Sequence, residues 1–229
     1  MGDPEPKSSA SDLLSRVEKV GLRVPFTIAT VGMLVLAGWL TNSANGEQLG
    51  QRAIQRLGFS PSDTASFDIM RAVMSAFVTN GPTAFWFAIA ATTILVGLTE
   101  WRYGSMRAAV AFWGTHLVTL TLTWVLLAPL HLAGDATAKL LFLARDVGPS
   151  AGFMGCAGYL LYGLGGKAGS LSLAVGVVVL SGLLAVNLGT VASEPAEVSA
   201  ALSHLLALPV GFVLGLLTSK RPDSSLQNE

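Results

Sequence analysis

The chain has 229 residues, of which 52% are hydrophobic and only 12% charged, about half the charge of an average soluble domain. That deficit points to lipid as the solvent. With 14 basic and 14 acidic residues cancelling to a net charge of zero, no basic stripe exists to hold a nucleic acid.

A membrane-crossing helix needs about 20 residues with few or no charges. Six stretches without Asp, Glu, Lys or Arg meet that need: Val24 to Gly46, Ala72 to Thr99, Ala108 to Gly134, Val147 to Gly166, Ala168 to Ser193 and Val198 to Ser219. The leader before the first run mixes acids with bases, so that run reads as a span rather than a secretory signal. Residues 1–23 and 220–229 flank it as tails, and Met1 to Ser11 and Arg221 to Glu229 are expected to be disordered. Charged or turn-forming segments such as Glu100-Trp101-Arg102-Tyr103-Gly104 and Glu194-Pro195-Ala196-Glu197 read as loops. The longer segment Glu47 to Arg71, with Gly and Pro around Gly58 to Asp63, has room for a short interfacial helix. The expectation is an all-α polytopic membrane protein with one six-helix domain over 24–219.

The positive-inside rule sets orientation. With the N-terminus in the cytoplasm, Lys7, Arg16, Lys19, Arg23, Arg102, Arg107, Lys167, Lys220 and Arg221 lie inside, and Arg52, Arg56, Arg71, Lys139 and Arg145 outside. The majority favours both termini in the cytoplasm. The fourth and sixth spans then enter from the outer face. Ser150 lies three residues past Val147 and His204 six past Val198, so at about 1.5 Å per residue both sit roughly 5 to 9 Å deep.

A serine hydroxyl needs an adjacent base to act as a nucleophile, and a neutral imidazole is the usual one. His204 would take the Ser150 proton and return it to the leaving amine. The same two residues also suit ordinary helix packing. After Ser150 come Ala151, Gly152, Gly155, Cys156, Ala157 and Gly158, and Ala207, Gly211 and Gly215 recur every four residues in the sixth span. Two such small-residue faces pack closely. Cys156 reads as a small buried apolar side chain.

The run Gly148-Pro149-Ser150-Ala151-Gly152 through Gly158-Tyr159 resembles the G-x-S-G motif of the rhomboid family of intramembrane serine proteases. His204-Leu205-Leu206-Ala207 with Gly211 resembles the segment carrying that family's base, and Arg71 to Thr79 the segment that opens with its Trp-Arg pair. Glu100 to Gly104 resembles its E-x-x-x-G turn. The resemblance implies a six-helix rhomboid-like fold in a bacterial plasma membrane, with a shortened fourth helix presenting Ser150 in a water-filled cavity. Ser150 would be nucleophile and His204 general base, without a third acidic member or a cofactor. The partners would be transmembrane-helix substrates within the lipid bilayer.

The family's second helix carries an H-x-x-x-N pair that helps form the oxyanion hole, preceded by another histidine. Counted back from Glu100, these positions fall on Ala84, Ala88 and Thr79, with Asn80 close in sequence. That pattern leaves no side-chain oxyanion donor, and loss of one such donor typically costs about 10² to 10³ in rate. Ala151, Met154 and Met70 also stand where the family has glycine, an aromatic residue and tryptophan. Two functions stay open: a serine protease, and a proteolytically inactive rhomboid-like protein that binds transmembrane clients or remodels the bilayer.

An ion-coupled transporter is disfavoured, because the six stretches carry no Asp, Glu, Lys or Arg. No ligand set for a metal converges in the sequence. His116 and His131 read as packing or interfacial residues, with His131 an alternative partner for Ser150. Asp146 is expected to cap the fourth helix, or to pair with Arg145, and Glu100 to stabilise its turn.

Overall fold

The computed structural model describes residues 23–66 and 68–218. The two tails expected to be disordered, with Lys7, Arg16, Lys19, Lys220 and Arg221, lie outside the described residues. In chain order the helices are α1 (Pro25–Leu40), α2 (Gln51–Leu57), α3 (Pro61–Thr64), α4 (Ile69–Ser75), α5 (Gly81–Tyr103), α6 (Ser105–Leu132), α7 (Ala136–Leu143), α8 (Ser150–Tyr162), α9 (Gly166–Thr190) and α10 (Pro195–Thr218). Four of them, α5, α6, α9 and α10, are long and apolar enough to cross a membrane. They mark a helical membrane protein. The 16 residues of α1 and the 13 of α8 extend roughly 24 and 20 Å, less than the hydrocarbon thickness of about 30 Å.

The stretch Ala72 to Thr99 is not one helix. Helix α4 ends at Ser75 and α5 begins at Gly81. Gly81 has φ +87°, and Pro82 has no N–H to continue a helical ladder from the residues before it. Hydropathy runs through this break, whereas the backbone cannot. At its far end α5 continues through the expected loop to Tyr103, and the connection to α6 is reduced to Gly104 at φ +87°.

Glu100 explains how that end is held. Its carboxylate, on a residue only 1% exposed, accepts from the N–H groups of Phe26 (2.8 Å) and Thr27 (2.7 Å) and from the hydroxyls of Thr27 (2.7 Å) and Ser105 (2.6 Å). The first N–H groups of any helix lack intrahelical partners. Val24, at the start of α1, has no capping side chain, so Glu100 caps α1 from a distant helix and also ties down the start of α6. A carboxylate so fully hydrogen-bonded tolerates burial.

The segment between α1 and α5 contains α2, α3 and α4 rather than a single interfacial helix. The sequence Ser60-Pro61-Ser62-Asp63 starts α3, with the Asp63 carboxylate accepting from the Ser60 N–H at 2.9 Å. This is the reciprocal arm of a capping box.

Helix α8 lies at the centre. Its most extensive neighbour is α10, and Val96, Phe112, Phe153, Cys156 and Tyr159 form a buried cluster around it. The approach to α10 is set by glycine: a Cβ on Gly211 would run into the backbone of Gly155, and one on Gly158 into the backbone of Leu208. Ala207, Gly211 and Gly215 are all buried on this face.

Candidate active site

The loop before α8 is fixed by the segment that precedes α5. Phe59 and Asp146 exchange two backbone hydrogen bonds, of 3.0 and 2.9 Å. Two residues on, the Gly148 N–H donates to the Ser75 carbonyl at 2.7 Å, with Gly148 at φ +132°. Only glycine adopts that geometry without strain. Pro149 then fills the cap position and Ser150 becomes the first residue of α8. The first three N–H groups of α8, those of Ser150, Ala151 and Gly152, have no carbonyl one turn earlier to bond.

Arg145 and Asp146 do not pair with one another. The Arg145 guanidinium forks onto Asp63, with contacts of 2.6 and 3.2 Å, and also donates to the Gly58 carbonyl at 2.9 Å. Arg71 reaches Asp68 at 3.1 Å and Asp63 at 3.5 Å, so it braces the same carboxylate from α4. Burial pushes the Asp63 carboxyl up, but the hydrogen bonds from Arg145 and Ser60 outweigh it and hold the group below the usual range. Nor does Asp146 cap α8. The Phe59 pairing fixes it four residues ahead of the helix, where its carboxylate accepts from the Val147 N–H at 2.8 Å.

Ser150 and His204 line one open cavity of about 960 Å³, whose lining also contains Thr79, Asn80, Ala84 and Ala88. His204 Nε2 is buried and has no hydrogen-bond partner. The serine and histidine therefore share a chamber without a hydrogen bond between Ser150 and that nitrogen. Catalytic hydrogen bonds are often long in the absence of substrate. His131 stacks on Phe142, with ring centroids 4.6 Å apart, and is not among the residues lining this cavity.

Thr79, Ala84 and Ala88, the positions found by counting back from Glu100, thus line the same cavity as Ser150. Thr79 carries a hydroxyl, but that atom is buried below the cavity surface. Its residue is 3% exposed and its hydroxyl has no partner, while its carbonyl accepts from Ser43 Oγ at 2.9 Å. A threonine at a histidine position reads as a loss by residue type, although it still carries an O–H.

A second recess, of about 20 Å³, lies behind Ser150 and is lined by Ser75, His116, Asp146 and Ser203 among others, room for about one water. His116 Nε2 stands 2.9 Å from the Ala72 carbonyl. A carbonyl only accepts, so Nε2 carries the proton and the unpartnered Nδ1 holds the lone pair. Its packing role between α6 and α4 is visible in that bond.

Comparison with protein-family models, with curated proteins and with solved structures returns no match.

Burial, helped by the nearby Glu197 charge, pushes the Asp146 carboxyl up from 3.8 to about 7. The folded state then binds this proton more tightly than the unfolded state. The resulting stabilisation is complete below about pH 4 and is lost as pH rises through about 7. Asp146→Asn keeps the acceptor for Val147 and removes the titration. The melting temperature of the variant minus that of the wild type should therefore increase between pH 5 and pH 8. A difference that stays flat, or falls, contradicts the assignment.

Proposed function

We propose that the chain is a rhomboid-like intramembrane serine protease that cleaves transmembrane substrates, with Ser150 as nucleophile and His204 as general base. In this reading α1 and α8 join the four long helices as a short first span and a short fourth one. Both termini face the cytoplasm, and the cavity opens to the outside of a bacterial plasma membrane.

The observation that carries the proposal is that Ser150 and His204, 54 positions apart in sequence, line one cavity beside a helix too short to fill the bilayer. Hydrolysis needs water, and a foreshortened helix leaves an aqueous space above its N-terminus. The Ser150 hydroxyl passes its proton to the imidazole as Oγ attacks the scissile carbonyl carbon. The imidazolium protonates the leaving amine as the C–N bond breaks, and a water activated by the same imidazole releases the acyl group. The N–H groups at the start of α8 are the donors available to the oxyanion.

A proteolytically inactive, client-binding protein is the second reading, supported by the methyl side chains of Ala84 and Ala88 in the lining of the Ser150 cavity. A fluorophosphonate probe separates the two. Labelling of the wild type and not of Ser150→Ala supports the protease. Equal labelling of both, or none of a folded wild type, supports the client binder.

A further inference from the structure

Charge is divided unevenly between the two ends of the helix bundle. Around the ends of α5 and α8 and the starts of α1, α6 and α9 stand Arg23, Arg102, Arg107 and Lys167. The acid described at that end is Glu100, whose buried carboxylate is already occupied by Phe26, Thr27 and Ser105. At the opposite end acids outnumber bases among the described residues. Every ion pair among the described residues is made by Asp63 or Asp68, so these four bases have no carboxylate partner there. Aromatic rings hold two of them instead: the Arg23 guanidinium lies 4.9 Å from the Trp101 ring centroid and that of Arg102 5.5 Å from Tyr103.

Beside Arg102 a cleft of about 540 Å³ runs between the end of α8, the start of α9 and the end of α10, lined by Arg102, Tyr103, Tyr162, Gly166, Phe212 and Leu216 among others. Arg102 donates to the Gly163 carbonyl at 3.0 Å, a neutral partner that leaves its charge uncompensated. Gly165 and Gly166 turn the chain into α9 at φ +73° and +46°, and the first turn of α9 holds Lys167 but no acid. The cleft is therefore basic at one edge, while Phe212 and Leu216 make another part of its lining apolar. Leu216 is exposed, and the apolar window of α9 has no buried residue, so both helices beside the cleft face hydrocarbon.

We propose that this cleft holds one anionic phospholipid, with its phosphodiester beside Arg102 and Lys167 and the upper part of an acyl chain along Phe212 and Leu216. Charge and surface together choose that occupant. A guanidinium donates to two phosphate oxygens at once, and tyrosine and tryptophan mark the depth at which headgroups lie. A zwitterionic lipid would bring its own cation against bases that lack an acid, whereas an anionic lipid brings none. A free phosphate would leave the apolar part of the cleft bare. The proposal does not involve Ser150 or His204, because the cleft lies at the far end of α8 from Ser150.

The test uses the full chain in mild detergent with phosphatidylglycerol and phosphatidylcholine of identical acyl chains, the retained lipid being counted by native mass spectrometry. Phosphatidylglycerol should bind at one site about 25-fold more tightly than phosphatidylcholine, as about fivefold from each of two bases beside an anionic headgroup implies. Arg102→Gln and Lys167→Gln should each reduce the ratio to about fivefold, and the double variant should bind the two lipids alike. The exposed Lys167 side chain makes that variant informative even where Arg102→Gln fails to fold. Arg107→Gln removes the same charge from the same end but lies off the cleft lining, and should leave the ratio unchanged. Inorganic phosphate in large excess should not displace the lipid. Equal affinity of the wild type for the two lipids, a preference that survives the double variant, a loss in Arg107→Gln as large as in Lys167→Gln, or displacement by phosphate each overturns the proposal.

Discussion

Ser150→Ala and His204→Ala are each expected to lower cleavage of a transmembrane reporter by about 10⁴-fold or more, and the double variant by no more than the worse of the two. The non-additivity follows from the chemistry. Without the imidazole the hydroxyl keeps its proton, and without the hydroxyl the imidazole has no nucleophile to activate. Thr79→Ala should act differently: its hydroxyl is buried and unpartnered, so turnover should stay close to the wild-type value. Reporter cleavage in proteoliposomes reads every variant. A Ser150→Ala protein that cuts at the wild-type rate would end the protease reading.

Much of this architecture is legible in the chain because lipid makes simple demands. The apolar runs from Ala108, Ala168 and Val198 coincide with α6, α9 and α10 to within a few residues. The small-residue faces of α8 and α10 meet as their spacing implies. What stays hidden is set by long-range backbone pairing. Phe59 finds Asp146, and Arg145 finds Asp63 across 82 positions, and neither partner is announced by periodicity. The break at Gly81 is hidden for another reason, since Phe77, Val78, Phe85 and Trp86 keep hydropathy high across a turn that Gly81 and Pro82 impose. That Thr79 lines the cavity becomes visible only in the fold. Ser60 and Asp63, by contrast, announce α3 in their spacing, as does the glycine beyond Glu100 that ends α5.

Gly211→Leu is expected to be the most damaging single change to the fold outside the polar residues. A Cβ at Gly211 would lie 2.6 Å from Gly155 Cα and C, and backbone cannot rotate away as a side chain can. The helices must separate, forfeiting dispersion contacts along the whole α8–α10 face. Overpacking a well-packed core ordinarily costs about 1–3 kcal/mol, occasionally more, and here the obstructing atoms belong to the central helix. Gly211→Ala should already lower the unfolding midpoint, with Gly211→Leu larger. The control is Gly32→Ala or Gly182→Ala, where a Cβ meets nothing within 4 Å. These should be neutral or stabilising by up to about 1 kcal/mol through helix propensity. Activity should follow the same order, because Ser150 opens α8 and His204 lies on α10. Spreading the glycine contacts moves the nucleophile from its base, and displacements of about 1 Å can cost on the order of 10² in rate. A Gly211→Leu protein as stable as Gly32→Ala in titrated denaturant would mean that the two helices do not meet through these glycines.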